Sequence, residues 1–226
     1  NKKPICDPEA VFFAFPSNLD KSNFKLDLNG IPSEPNKDQL TGAAKDWYPV
    51  HRWVDVSDDN KGVTMTPLDA PLLNLGGITA GKWTQKGDLE PEGPNIFSWA
   101  INNHWMVNFK ASQEGEIPFR FRFQTHTNPV DNVKAFRFGA NSLTPPIVLR
   151  DKKRNSDKIE NSFINVDSKE INYTVKPAEN GNGIILRIQN LTKDNISSTF
   201  KINFKLSSCN ICDLVENDLE VISTSN

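Results

Sequence analysis

A strict two-residue alternation of apolar and polar side chains runs through Ile117-Pro118-Phe119-Arg120-Phe121-Arg122-Phe123. Successive side chains of a strand point to opposite faces, so this pattern puts the three Phe on one face and both Arg on the other. Phe24-Lys25-Leu26-Asp27-Leu28 and Phe200-Lys201-Ile202-Asn203-Phe204-Lys205-Leu206 repeat it. His51–Val56, the polar loop Ser57–Gly62 and Val63–Thr66 read as a hairpin. Further strands are predicted at Phe136–Phe138, Ile171–Val175 and Gly183–Asn190. No stretch sustains a 3.6-residue apolar period. The expected fold is all-β, a large antiparallel β-sandwich over residues 1–226, with a small C-terminal β subdomain divided off near residue 160 as a compatible variant.

A length of 226 residues fits one such sandwich, and 14 Phe and 5 Trp supply large side chains for its core. The net charge of −2 provides no global field for nucleic acid or an anionic membrane, so neither is an expected partner. No segment approaches the roughly 20 consecutive apolar residues of a membrane-crossing helix. Asn1-Lys2-Lys3-Pro4 has no apolar stretch behind it and does not read as a signal peptide. A start at Asn rather than Met fits a processed protein or an excised piece of a longer one.

The charged run Leu149–Lys158 reads as a solvated loop, and Gln85–Pro94, with two Pro and two Gly, as another. Cys209 and Cys212 have the spacing of half a zinc site or of a redox pair. Zinc takes about four ligands, and only Cys6 remains, so two incidental thiols are the plainer reading. His51, His104 and His126 are too scattered to argue a metal cluster. Asn172, Asn190 and Asn195 stand in Asn-x-Ser/Thr acceptor sequences, at a frequency near chance. Carboxylates for glycosidic chemistry exist at Asp55, Asp58, Asp59, Asp69, Glu114 and Glu116, but nothing in the sequence pairs two of them. A nucleophile elbow, a phosphate-cradling glycine loop and an H-E-x-x-H helix are all absent.

All five Trp fall between Trp47 and Trp105. Exposed, they would form platforms for sugar rings; otherwise they are core or interface residues. Trp99 and Trp105 are six positions apart and would share a face in an unbroken strand.

Three segments, taken together, carry a resemblance. The first is Asp46-Trp47-Tyr48-Pro49-Val50-His51-Arg52-Trp53-Val54-Asp55-Val56-Ser57, followed by Gly62-Val63-Thr64 and Asp69-Ala70-Pro71-Leu72. The second is Ser98-Trp99-Ala100-Ile101-Asn102-Asn103-His104-Trp105, then Asn108-Phe109-Lys110-Ala111-Ser112-Gln113-Glu114-Gly115. The third is Lys176-Pro177-Ala178-Glu179-Asn180-Gly181 with Gly183–Asn190. With the opening strand Val11–Pro16, they resemble the C-terminal β-sandwich region of glycoside hydrolase family 38, the retaining zinc-dependent α-mannosidases. The resemblance implies a supersandwich of the galactose-mutarotase-like kind.

It also implies that zinc ligands, nucleophile and acid/base belong to an N-terminal α/β domain followed by a helical bundle, none of which is in these residues. No catalytic residue and no metal ligand is therefore carried over, and no cofactor is expected in this chain, with zinc expected in the N-terminal domain. Sugar-contact candidates on the sandwich side are Trp99, His104, Trp105 and Glu114. The expected role is support of that catalytic domain in hydrolysing α-mannosides, its partners being the catalytic and helical domains and the carbohydrate. The alternative is a stand-alone carbohydrate-binding module, with exposed, coplanar Trp as its signature.

Overall fold

The computed structural model describes every residue except 1, 2, 4, 6, 22, 80–89, 104–112, 151–160 and 223–226. The chain divides into two compact units, Asn1–Ile147 and Val148–Asn226.

The first unit contains β1 (Glu9–Phe15), β2 (Asn23–Leu28), β3 (Ile31–Ser33), β4 (Tyr48–Pro49), β5 (Val54–Ser57), β6 (Lys61–Pro67), β7 (Leu72–Leu75), β8 (Ile96–Asn103), β9 (Phe121–Thr127) and one helix, α1 (Asn132–Leu143). The strands form two antiparallel sheets, β1-β8-β7-β4 and β3-β2-β5-β6-β9. Register follows the alternation: Leu26 pairs Val54, Val54 pairs Met65 and Met65 pairs Phe123, so one face of the second sheet is continuously apolar. That face meets Tyr48, Leu73, Leu75 and Ile96 of the first sheet in the core. Burying each Leu or Val there contributes about 1.5–3 kcal/mol. At one side β1 lies over β9, with the Phe15 ring 4.8 Å from Phe121 and 5.2 Å from Phe123.

The Phe/Arg alternation places its Phe inward, as expected, but the ladder begins only at Phe121. Pro118 has no N–H to donate, and Arg120 instead turns to Asp69, donating to its carboxylate from the backbone N–H at 2.7 Å and from the guanidinium at 2.8 and 3.0 Å.

Two strand expectations fail: the alternation read through Leu206 is a strand only over Phe200–Ile202, and a second predicted strand is helical. Phe136–Phe138 is not a strand but the middle of α1. Asp131 caps this helix, its carboxylate accepting from the Val133 and Lys134 N–H groups at 2.9 and 3.1 Å. Ala135, Phe136, Gly139 and Ser142 form its buried stripe. The apolar signal was weak because two of these four are Gly and Ser. Gly139 is required by contact: a Cβ there would stand 2.9 Å from Arg52 Cβ.

The second unit has three two-stranded antiparallel sheets: β10 (Ile164–Val166) with β13 (Phe200–Ile202), β11 (Ile171–Pro177) with β12 (Ile184–Asn190), and β14 (Asn210–Cys212) with β15 (Asp218–Val221). The Asn180–Gly183 turn closes β11 on β12 as its sequence predicts. Gly181 and Gly183 take φ of 74° and 106°, and Asn182 N–H donates to Asn180 Oδ1 at 2.8 Å. Among the described residues of this unit the buried apolar side chains are Ile164, Ile171 and Leu191. Tyr173 ties two sheets together, donating its hydroxyl to Ile164 O at 3.0 Å with its ring 6.0 Å from Phe200. Lys176 ties two as well, reaching Glu179 at 2.9 Å and Glu216 at 2.6 Å.

Candidate functional site

Of the sugar-contact candidates, Trp99 sits in β8 and is buried. Its ring stacks on Phe12 at 5.5 Å and meets Trp47 edge-on at 6.0 Å, while its indole N–H donates to Ile101 O at 2.9 Å. Glu114 is exposed. His104 and Trp105 lie outside the described residues, as do Trp83 and Cys6. Trp53 is fully buried and Trp47 half-buried, so the described Trp present no exposed platform.

The six candidate carboxylates separate by environment. Asp59 pairs with Lys21 at 2.6 Å and Asp69 with Arg120. Glu114 and Glu116 are exposed. Asp58 accepts the Asn60 and Lys61 N–H groups at 2.8 and 2.9 Å, and these, with the Asp20 N–H at 3.4 Å, hold its carboxyl below the usual carboxylate range.

Asp55 is wholly buried, on the outer face of the second sheet, opposite the apolar face that meets the first. The helix explains this burial: α1 packs against β6 and covers a layer that is polar and yet closed. Within it Asp55 Oδ2 accepts the Thr64 hydroxyl at 2.6 Å and meets His126 Nε2 at 2.7 Å. His126 Nδ1 faces Asn128 O at 3.0 Å. Both ring nitrogens thus face acceptors, and neither is open to take a proton from a substrate. The triad pins β9 to β5 and β6. Gly62 makes room for the ring, since a Cβ there would stand 2.5 Å from His126 Cε1 and 2.5 Å from Ser57 Cβ.

Sequence reading missed a second pair in the same layer. Asp27, also fully buried, meets Arg52 at 3.4 Å, and the Arg52 guanidinium carbon lies 4.6 Å from the Phe136 ring centroid. Burial raises the Asp27 carboxyl above its ordinary value, and Arg52 opposes that shift. Two buried pairs on the outer face of the second sheet thus act as structural clamps on the helix side, which periodicity alone did not disclose.

Cys209 and Cys212 are half-buried free thiols. Among the described residues no three His, Cys, Asp or Glu side chains come together to hold a metal ion.

Residues 172–226 match the family model of the glycosyl hydrolases family 38 C-terminal beta sandwich domain. Two solved structures share the fold. One is an α-mannosidase from Enterococcus faecalis V583, at 18% identity and a TM-score of 0.67, covering 95% of this chain and 24% of that one. The other is a protein in the glycosyl hydrolase family 38 from Enterococcus faecalis, at 17% identity and a TM-score of 0.65, with the same coverages of 95% and 24%. The chain therefore spans about a quarter of the length of the structures it matches. No curated protein matches it in sequence. Residues 172–226 are thus similar to the C-terminal beta sandwich domain of the glycosyl hydrolases family 38, and the chain shares its fold over nearly its whole length with about a quarter of each of these two structures.

Proposed function

We propose that this chain is the C-terminal part of an α-mannosidase-like retaining glycoside hydrolase. The zinc, the nucleophile and the acid/base belong to an N-terminal catalytic domain of the same polypeptide, and a helical domain lies between. The sandwich acts by packing against these domains and holding them in place, not by chemistry of its own. The observation that carries this reading is the family match at residues 172–226, set in a fold likeness over 95% of the chain. The closed clamps at Asp55 and Asp27 agree with it, since they fix strands and offer no group to a sugar.

The test is activity of the polypeptide as isolated from the cells that make it. It is expected to hydrolyse 4-nitrophenyl α-mannoside and to lose that activity on chelation, with recovery on adding zinc. Absence of hydrolysis, or hydrolysis unaffected by full removal of metal, contradicts the reading.

A further inference from the structure

The two sides of the first unit's sandwich are finished differently. At one, the edge strands are β3, three residues long with Pro32, and β4, two residues long with Pro49. Short strands and proline are the devices by which sheets refuse a further strand. At the other, the edges are β1 and β9, each seven residues long and without proline. β1 has one bulge, between Val11 and Phe12, and is regular from Phe12 to Phe15. Among the described residues no strand lies beyond Phe12–Phe15 or beyond β9.

These two open edges lie one above the other, with the Phe13 ring tilted against Phe119 at 5.3 Å and edge-on to Phe121 at 5.5 Å. Phe13 remains 38% exposed and Phe123 48%, although both point toward the interior of the sandwich. An unblunted edge above another, with aromatic rings half covered between them, is how a sandwich looks where further strands continue it.

We infer that the β1/β9 side is a docking edge for β-strands, and that its occupant is the part of the polypeptide preceding residue 1; this rests on the proposed membership of a longer enzyme. Among the described residues β1 is the first strand and stands at a sheet edge, and strands consecutive in sequence are neighbours about two-thirds of the time. The place beside β1 therefore belongs to the strand before it. The docked strands present apolar side chains inward, over Phe13 and Phe123, and polar or acidic ones outward beside the exposed Arg122.

Hydrogen exchange of the intact polypeptide, read on peptides covering Glu9–Phe15 and Phe121–Thr127, tests this. Docked strands protect both peptides throughout, to within about tenfold of β5 and β6. In an open edge strand about half the amides point to solvent and exchange fast. That result, in a polypeptide several times larger than 25.4 kDa, overturns the inference and leaves the proposed function standing. A native polypeptide of 25.4 kDa overturns both. Protection that disappears on dilution identifies a second copy as the occupant and likewise overturns it. In the intact polypeptide, Phe123→Asp is expected to release protection from both peptides, and unchanged protection counts against the docking.

Discussion

The two units use the same antiparallel hairpins and reach opposite degrees of closure. In the first, facing sheets bury Tyr48, Trp53, Leu26, Met65 and Leu73 almost completely. In the second, the β11/β12 hairpin is amphipathic, with Tyr173 opposite Ile188, Val175 opposite Leu186 and Pro177 opposite Ile184 on one face. Only the base of that face is covered, by Ile164 and Phe200; Val175, Ile184 and Ile188 are each about half exposed. Leu214, Val215, Leu219 and Val221 around β14 and β15 are more exposed still. An isolated two-stranded hairpin is marginal in water. Strand pattern alone therefore secures a hairpin, but a stable layer needs a second layer. Polar ties through Lys176, and turn caps such as Asp213 accepting Val215 and Asn217 N–H groups at 2.9 Å each, hold the second unit's shape with little core.

This contrast can be broken by mutation. All five Trp belong to the first unit, so their fluorescence during urea unfolding reports on it. Trp53→Ala is expected to cost about 3–5 kcal/mol, from lost burial and the cavity left behind. Arg52→Met falls in a similar range, about 3–5 kcal/mol, because Asp27 is left buried without its cation. His126→Ala is smaller, about 1–3 kcal/mol, since Asp55 keeps the Thr64 hydroxyl but loses its second partner. In the second unit Ile188→Ala, at a side chain 54% exposed, is expected to cost under about 1 kcal/mol by hydrogen exchange of β11 and β12. A cost equal to that of Trp53→Ala would show that this face is covered, and would erase the contrast.

The smallest effect is a slope with pH. A carboxyl held low in the folded state adds stability that is present above its ordinary value of 3.8 and is lost as pH falls through the lower folded value. Asp58 belongs to this class in the first unit, as do Asp167 and Asp213 in the second. Asp58→Asn should flatten the acid limb of the first unit's unfolding curve, and an unchanged acid limb would contradict this. At the alkaline end, burial and then the Asp46 charge push Tyr48 up to about 12. In Tyr173→Phe, which leaves Tyr48 as the remaining tyrosine, phenolate absorbance should therefore rise only near that pH.

What the sequence disclosed, and what it hid, follows from range. The hairpin of β5 and β6, the Asn180–Gly183 turn and the alternation in β2 and β9 are local patterns, and they are found as read. Helix α1 was hidden because its buried stripe uses Gly139 and Ser142, whose fit depends on Arg52, distant in sequence. For the same reason the burial of Asp55 and Asp27 on the helix side of the sheet leaves no local signal. The partnership of Asp55 with His126 spans 71 residues and leaves no short motif. Trp99 was legible as a large side chain in a strand, but its burial against Phe12 depends on the pairing of β1 with β8.

The proposed function makes this sandwich the C-terminal part of a much longer α-mannosidase-like polypeptide. Its most direct test is the mass of the native polypeptide in the cells that make it, detected with antibody to residues 1–226. The expected result is a band several times larger than 25.4 kDa. A band at 25.4 kDa would contradict it and leave a sandwich that works alone.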